Sequence, residues 1–253
     1  MKDSNDDKGQ TRTGTIRLAD RIMEITSLFP EVQELCREYR AKGKPDFRVE
    51  STQADIDFER EKSAREDEIE GIPVRQFSDA YLETLTVYRK IAERMPDYDT
   101  FLFHGSAVSV DGAGYLFTAK SGTGKSTHVR LWRELLGKRA VMVNDDKPLI
   151  HVKEDGTAIV YGTPWDGKHR LSNNIAVPLK AICILERAEE NHIVSITETE
   201  AMPMLIQQAY RPADPAAMEK TLALIDRLNV RFYRLSCNMD IDAAQLSYNT
   251  MKG

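Results

Sequence analysis

The sequence predicts an α/β fold in which a glycine-rich loop joins a buried strand to a helix, preceded by a smaller N-terminal attachment of strands and helices. Three observations lead there. The run Tyr115–Ala119 is apolar and leads straight into a glycine-rich segment, Ser126–Leu136 follows with helical spacing, and short apolar runs separated by turn residues recur from Phe101 to Ile196 before helices return. At 253 residues, 41% hydrophobic and 30% charged, the chain can bury a sizeable core as one large domain, or as one domain with a small addition.

In chain order, residues 1–14 are rich in Asp, Lys and Gly and bury too little apolar surface to offset their ordering entropy, so a disordered tail is expected. Thr15–Ile25 places Ile16, Leu18, Ile22 and Ile25 in a pattern that fits a strand pair or a short helix equally well. Pro30 followed by Val32, Leu35, Cys36 and Tyr39 has helical spacing, with proline in the first turn where its missing N–H costs little. Gln53–Glu70 is dominated by charge and reads as a solvated helix. Ser78–Arg94 carries Tyr81, Leu82, Leu85, Tyr88, Ile91 and Ala92 at helical steps and stops before Pro96. Residues 15–96 thus form the attachment and residues 97–253 the core domain.

Within the core, Phe101–Val110 and Tyr115–Ala119 read as two strands joined by a reversal at Asp111–Gly114. Ser126–Leu136 is a helix ended by Gly137, and Val141–Val143 a buried strand. Leu149–Val152 and Ala158–Tyr161 form a hairpin, and Ala181–Leu185 and His192–Ile196 are further strands. Helices return at Thr199–Ala209 and Pro215–Leu228, then a strand at Val230–Leu235 and a closing helix at Asp242–Tyr248.

The formal charge of −5 offers no basic surplus for duplex binding, so nucleic acid is not an expected partner. Cys36, Cys183 and Cys237 are odd in number and far apart, which argues against a disulfide framework and a structural zinc site. No apolar leader opens the chain and no segment has the length of a membrane span, so no membrane association and a cytoplasmic location are expected.

The nine residues Ala119-Lys120-Ser121-Gly122-Thr123-Gly124-Lys125-Ser126-Thr127 carry the chemistry. Two glycines let the backbone wrap so that several N–H groups face a polyphosphate, Lys125 supplies a cation to its terminal phosphates, the Ser126 hydroxyl can ligate Mg²⁺, and the helix beyond presents its positive end. Nucleotide-binding residues are therefore Ser121, Gly122, Thr123, Gly124, Lys125, Ser126 and Thr127. The first position of the usual pattern is glycine, and here it is Ala119. The bland alternative is a glycine-rich strand-to-helix turn with no ligand.

Asp145 and Asp146 follow the next strand, where two carboxylates can stand beside the loop, one toward a metal and one toward an acceptor. Taken alone they also fit an ordinary turn, Asn144-Asp145-Asp146-Lys147-Pro148. Tyr161-Gly162-Thr163-Pro164-Trp165-Asp166-Gly167-Lys168-His169-Arg170-Leu171-Ser172 reads as an ordered loop. Gly162 and Gly167 would allow backbone to approach a ligand, and Lys168 and Arg170 would neutralise phosphate or an acidic acceptor. A solvated loop pinned by Trp165 is the equal alternative.

In order and character, Phe103-His104-Gly105-Ser106, the phosphate loop and Asn144-Asp145-Asp146 resemble motifs of the HPr kinase/phosphorylase and phosphoenolpyruvate carboxykinase fold group, closely over residues 101–148 and loosely to Asn238. The resemblance implies a mixed-sheet α/β core of that type carrying the P-loop, with a small N-terminal α+β attachment. It also implies that His104, Asp145 and Asp146 surround the γ-phosphate as catalytic residues, one aspartate as general base, with Ser126 and Asp145 on the metal. Uncharacterised bacterial relatives of HPr kinase carry a similar Gly-Thr-Pro-Trp segment, which supports an acceptor-side role for Trp165, Lys168 and Arg170. The expected activity is transfer of phosphate from ATP (or ADP), with Mg²⁺, to a serine-type hydroxyl of a peptide, protein or free amino acid. The alternatives are a nucleotide-sensing module without transfer and a carboxykinase-like enzyme. Related kinases often form oligomers, so a homo-oligomer stands open beside a monomer.

Overall fold

The computed structural model describes residues 11–167 and 169–253, and the chain divides into two compact units, Met1–Ile91 and Ala92–Gly253. Most of the expected tail, residues 1–10, lies outside the described residues, but strand β1 (Arg12–Leu18) already begins inside that stretch. The ambiguous segment that follows is a hairpin: β1 pairs antiparallel with β2 (Arg21–Ser27) across the two-residue turn Ala19-Asp20. Both turn residues have positive φ (45° and 61°), the geometry that matches the twist of a tight hairpin. Strand β3 (Phe47–Glu50) adds parallel to β2, after helix α1 (Pro30–Leu35).

Helix α2 (Gln53–Glu70) opens with a reciprocal capping box between Thr52 and Asp55 and closes on Gly71, whose φ of 69° favours glycine. Its charge run is not wholly solvated as expected. Ile56, Glu59 and Asp67 are buried, and Glu59 is held by Arg89 of helix α3 (Asp79–Arg94) at 2.9 Å while Asp55 takes Lys90 at 2.6 Å. Glu83, fully buried on α3, accepts the Leu28 and Phe29 N–H groups at the start of α1 (2.6 and 2.8 Å) and the Ser51 hydroxyl (2.5 Å). A single carboxylate thereby ties helix to sheet edge, and its burial is tolerable because three donors meet it.

The second unit is built on a nine-stranded mixed sheet. Its strands are β4 (Thr100–Leu102), β5 (Ser106–Val110), β6 (Ala113–Thr118), β7 (Ala140–Asn144), β8 (Leu149–Val152), β9 (Ala158–Tyr161), β10 (Ala176–Arg187), β11 (His192–Ile196) and β12 (Arg231–Cys237). The order runs β4-β8-β9-β10-β6-β5-β7, with β12 on β10 and β11 on β12. Strand β10 curls the sheet: its first residues pair antiparallel with β9, and from Leu179 onward it runs parallel to β6 and β12. The expectation for Phe101–Val110 was one strand. The chain instead breaks at Phe103-His104-Gly105, so β4 pairs with β8 while β5 lies between β6 and β7.

Alternation along the central strands sends side chains to two cores. Leu116, Ile182, Ile184 and Phe232 face one core with helices α5 (Glu198–Gln208) and α6 (Pro215–Asp226). Tyr115, Phe117, Ala181, Cys183, Tyr233 and Leu235 face the other with α4 (Lys125–Leu136) and α7 (Ile241–Met251). No helix among the described residues is long and apolar enough to cross a membrane.

The α4–α7 core contains a polar knot. The Ser247 hydroxyl donates to Ala244 O (3.1 Å) and accepts the Trp132 indole N–H (2.8 Å), so its 3.0 Å contact with His128 Nε2 has the imidazole as donor. That leaves Nδ1 bare and buried with no hydrogen-bond partner. Burial pushes the His128 pKa down to about 4. The unfolded chain therefore binds a proton that the folded chain refuses between pH about 6.5 and about 4, so stability is full above that window and falls as pH drops through it. This group contributes a loss of roughly 3 kcal/mol. In urea titrations the wild type should lose stability more steeply than His128→Gln below pH 6.5; parallel profiles would sink this account.

Candidate functional site

The loop between β6 and α4 is set by backbone geometry. Gly122 (φ 75°) and Gly124 (φ 122°) occupy conformations that side-chain-bearing residues rarely adopt, although a Cβ at either would meet no neighbour within 4 Å. The requirement for glycine is conformational, not steric. Arg187, at the end of β10, donates from Nε to Thr123 O (3.2 Å) and from Nη2 to Gly122 O. A trans peptide points its N–H opposite to its C=O. With the Thr123 carbonyl on Arg187, the Gly124 N–H is therefore directed the other way.

Lys125 is the first residue of α4. It is buried, and its Nζ donates to Ala119 O at 3.2 Å. Burial lowers its pKa, against the opposing pull of Asp146 and Asp145. A partly desolvated ammonium is thereby balanced by two carboxylates.

The carboxylates stand at the end of β7. Asn144, with no exposed surface, is the hub. Its Oδ1 accepts the N–H groups of Asp146 (2.8 Å) and Lys147 (2.6 Å), and its Nδ2 donates to Thr163 Oγ1 (3.0 Å), Thr163 O (3.1 Å) and Trp165 O (3.3 Å). Asp145 is buried and oriented by the Ser106 hydroxyl, which donates to its Oδ1 at 2.6 Å. Asp146 is more open, and its Oδ1 lies 3.3 Å from His104 Nε2. Burial alone would push the Asp146 carboxyl up. The hydrogen bond from His104 and the charges of Lys147, His104 and Lys125 outweigh it and hold the group below the usual carboxylate value. His104 is placed by its own backbone: its N–H donates to Gln208 O (2.8 Å) and its carbonyl accepts the Thr118 hydroxyl (3.0 Å).

The glycines of the 161–172 loop serve the protein's own chain. A Cβ on Gly162 would stand 1.8 Å from Asn173 O and 2.7 Å from Val143 O, and one on Gly167 would stand 3.0 Å from Asp145 Oδ2. Trp165 is buried, Arg170 is exposed with φ 47°, and Lys168 lies outside the described residues.

These parts border one cavity of about 630 Å³. His104, Asp145, Asp146, Ser121, Gly122, Gly124, Lys125, Ser126 and Thr127 line it, together with Arg130, Arg133, His169 and Leu171. Thr123 instead lines a smaller adjoining hollow that shares Gly124 and Thr127. Trp165 and Arg170 are not among the lining residues; their loop neighbours His169 and Leu171 are. Among the described residues no group of three or more His, Cys, Asp or Glu is placed to hold a metal ion. Ser126 and Asp145 both line the cavity, and a hydroxyl and a carboxylate are oxygen donors of the kind that a cation with few protein ligands, such as Mg²⁺, takes.

Sequence reasoning gave no role to Ser106 or Asn144, although both stand in the motifs it singled out. An asparagine ahead of Asp-Asp-Lys-Pro is a recognisable turn former, so that signal was available. Arg187 carries no local signal, because only the fold brings it to the loop; Arg130, Arg133 and His169 stand in or just after segments that sequence reasoning singled out, without a role given to them. Asn144→Ala should cost about 2–4 kcal/mol in urea unfolding, since it strands two N–H groups and the acceptors on the 161–172 loop in a buried place. A cost under about 0.5 kcal/mol, the level of a bland surface change, would contradict the role assigned to it.

The solved structure of the HPr(Ser) kinase/phosphatase from Coxiella burnetii is similar to this chain at 13% identity, covering 60% of this chain and 99% of that one with a TM-score of 0.33, too loose a likeness to support a statement about function. No curated protein matches the chain. Residues 75–239, well over half of the chain, match the family described as SynChlorMet cassette protein ScmC. The chain therefore belongs to the ScmC family of SynChlorMet cassette proteins.

Proposed function

We propose that this chain is a cytoplasmic ATP- and Mg²⁺-dependent phosphotransferase acting on a serine-type hydroxyl of a peptide, protein or free amino acid. The observation that carries the reading is the sharing of one cavity by the glycine loop, the Lys125 ammonium, two carboxylates and an imidazole. A binding loop alone needs no carboxylate beside the terminal phosphate, where a negative charge costs affinity. A transfer site does, to take the hydroxyl proton.

In this reading the loop N–H groups and Lys125 hold the nucleotide and neutralise the charge on its terminal phosphates. Asp146, kept ionised by His104, accepts the hydroxyl proton as the acceptor oxygen bonds to phosphorus and the bond to the leaving diphosphate breaks. Asp145, fixed by Ser106, would hold the metal together with Ser126. Magnesium, when bound, supplies charge neutralisation on the phosphate oxygens. Arg187 holds the loop carbonyls on one side, so the loop is arranged before the ligand arrives.

Lys125→Ala should abolish ATP binding in calorimetry, and unchanged affinity would refute the loop assignment. Asp146→Asn should retain nucleotide within about threefold and lose at least 100-fold in transfer from labelled ATP. Serine, serine peptides, HPr and oxaloacetate form the acceptor panel. Binding without transfer to any of them would leave a nucleotide-binding module, and oxaloacetate as the sole reactant would mark a carboxykinase.

A further inference from the structure

The cavity extends beyond the phosphate end. It follows the face of α4 that carries Ser126, Val129, Arg130 and Arg133, and is closed by Met142, His169 and Leu171. Its ends differ in charge. Asp145 and Asp146 line it with Lys125, whereas further along α4 the lining carries the two arginines Arg130 and Arg133, with His169 and Leu171 from the 161–172 loop. Arg133 is half-buried and makes no ion pair among the described residues. Arg130 meets Glu134 at 3.5 Å, with both side chains more than 60% exposed, a pairing weak enough to exchange for a better one.

From this arrangement we infer that the cavity's far reach is a recognition subsite for a carboxylate of a peptide acceptor, held by Arg133 and Arg130 while the acceptor hydroxyl lies at Asp146. The inference rests on the phosphotransferase reading and narrows its acceptor. Arg130 and Arg133 lie one and two turns beyond Ser126, roughly 5–10 Å along the helix. In free serine only three covalent bonds separate the hydroxyl oxygen from the carboxylate carbon, a span shorter than the rise from Ser126 to Arg133. An extended peptide advances about 3.3–3.6 Å per residue. An acidic side chain or terminal carboxylate two or three residues from the serine covers a distance of that order. Guanidinium groups pair with carboxylates through two parallel N–H donors, which gives the subsite its selectivity.

The experiment uses the full chain and nine-residue peptides with one central serine in an alanine–glycine background, carrying a single aspartate or asparagine at each position from four before to four after. Peptide binding is read by fluorescence anisotropy with a non-hydrolysable ATP analogue, and transfer separately with labelled ATP. Aspartate two or three residues from the serine, on one side, should tighten binding about tenfold over asparagine. Arg133→Gln should remove that preference while the Kd for nucleotide stays unchanged, and Arg133→Glu should reverse it toward a lysine peptide. Aspartate-dependent binding without transfer would overturn the phosphotransferase reading and leave the subsite standing. Transfer that is indifferent to aspartate position, or free serine used as well as the best peptide, would overturn the subsite and leave the phosphotransferase standing.

Discussion

The site depends on the side-chain amide of Asn144. One small group, fully enclosed, spends its oxygen on the two N–H groups of the Asp145–Asp146–Lys147 turn and its nitrogen on the Thr163–Trp165 segment. Two stretches of chain that are distant in sequence are thereby locked to each other at the end of β7. Neither could hold its shape alone: the turn would expose two unpaired donors to a dry interior, and the loop would lose the anchor of its carbonyls. Asp146 can stand beside His104, and Asp145 beside Ser106, because the backbone between them is fixed from within.

On that frame, burial and charge separate two carboxylates that follow one another in sequence. Asp145 turns inward to a serine hydroxyl and Asp146 outward to an imidazole, so neighbours of identical chemistry stand in different surroundings. Lys125 sits across from both, its charge weakened by burial and supported by theirs. Among the described residues the ammonium's hydrogen bond goes to a loop carbonyl, a weaker partner than the charged phosphate oxygen of the proposed ligand. Behind the loop, the His128–Ser247–Trp132 knot joins the first turns of α4 to α7. The helix that follows the glycines is therefore seated on the core by polar contacts as well as apolar ones.

Much of the fold was legible because periodicity reports local structure faithfully where one face is buried. The hairpin at Leu149–Tyr161 and the long amphipathic α3 and α4 follow their patterns. The break at Phe103–Gly105 was not legible. An apolar run reads as continuous, and only the hydrogen bonds to Pro148, Gln208 and Asp146, supplied by remote segments, divide it. Charge misled in α2, where Glu59 and Asp67 are buried beside arginines that the sequence places far downstream or beyond the helix end. In the site, the loop glycines were readable from their conformational role. The close protein neighbours of Gly162 and Gly167 were not, because those atoms belong to Asn173, Val143 and Asp145, which the fold brings there.

The central claim is that the 119–127 backbone, together with Lys125, is a polyphosphate cradle facing the Asn144-fixed carboxylates. Amide hydrogen exchange of the full chain, with and without Mg²⁺ and ATP, tests it most directly. The account requires slowed exchange at the amides of residues 122–127 and a coupled change at residues 144–147, with the helices of the opposite core, α5 and α6, unaffected. Unaltered exchange across the glycine loop at saturating nucleotide would contradict it.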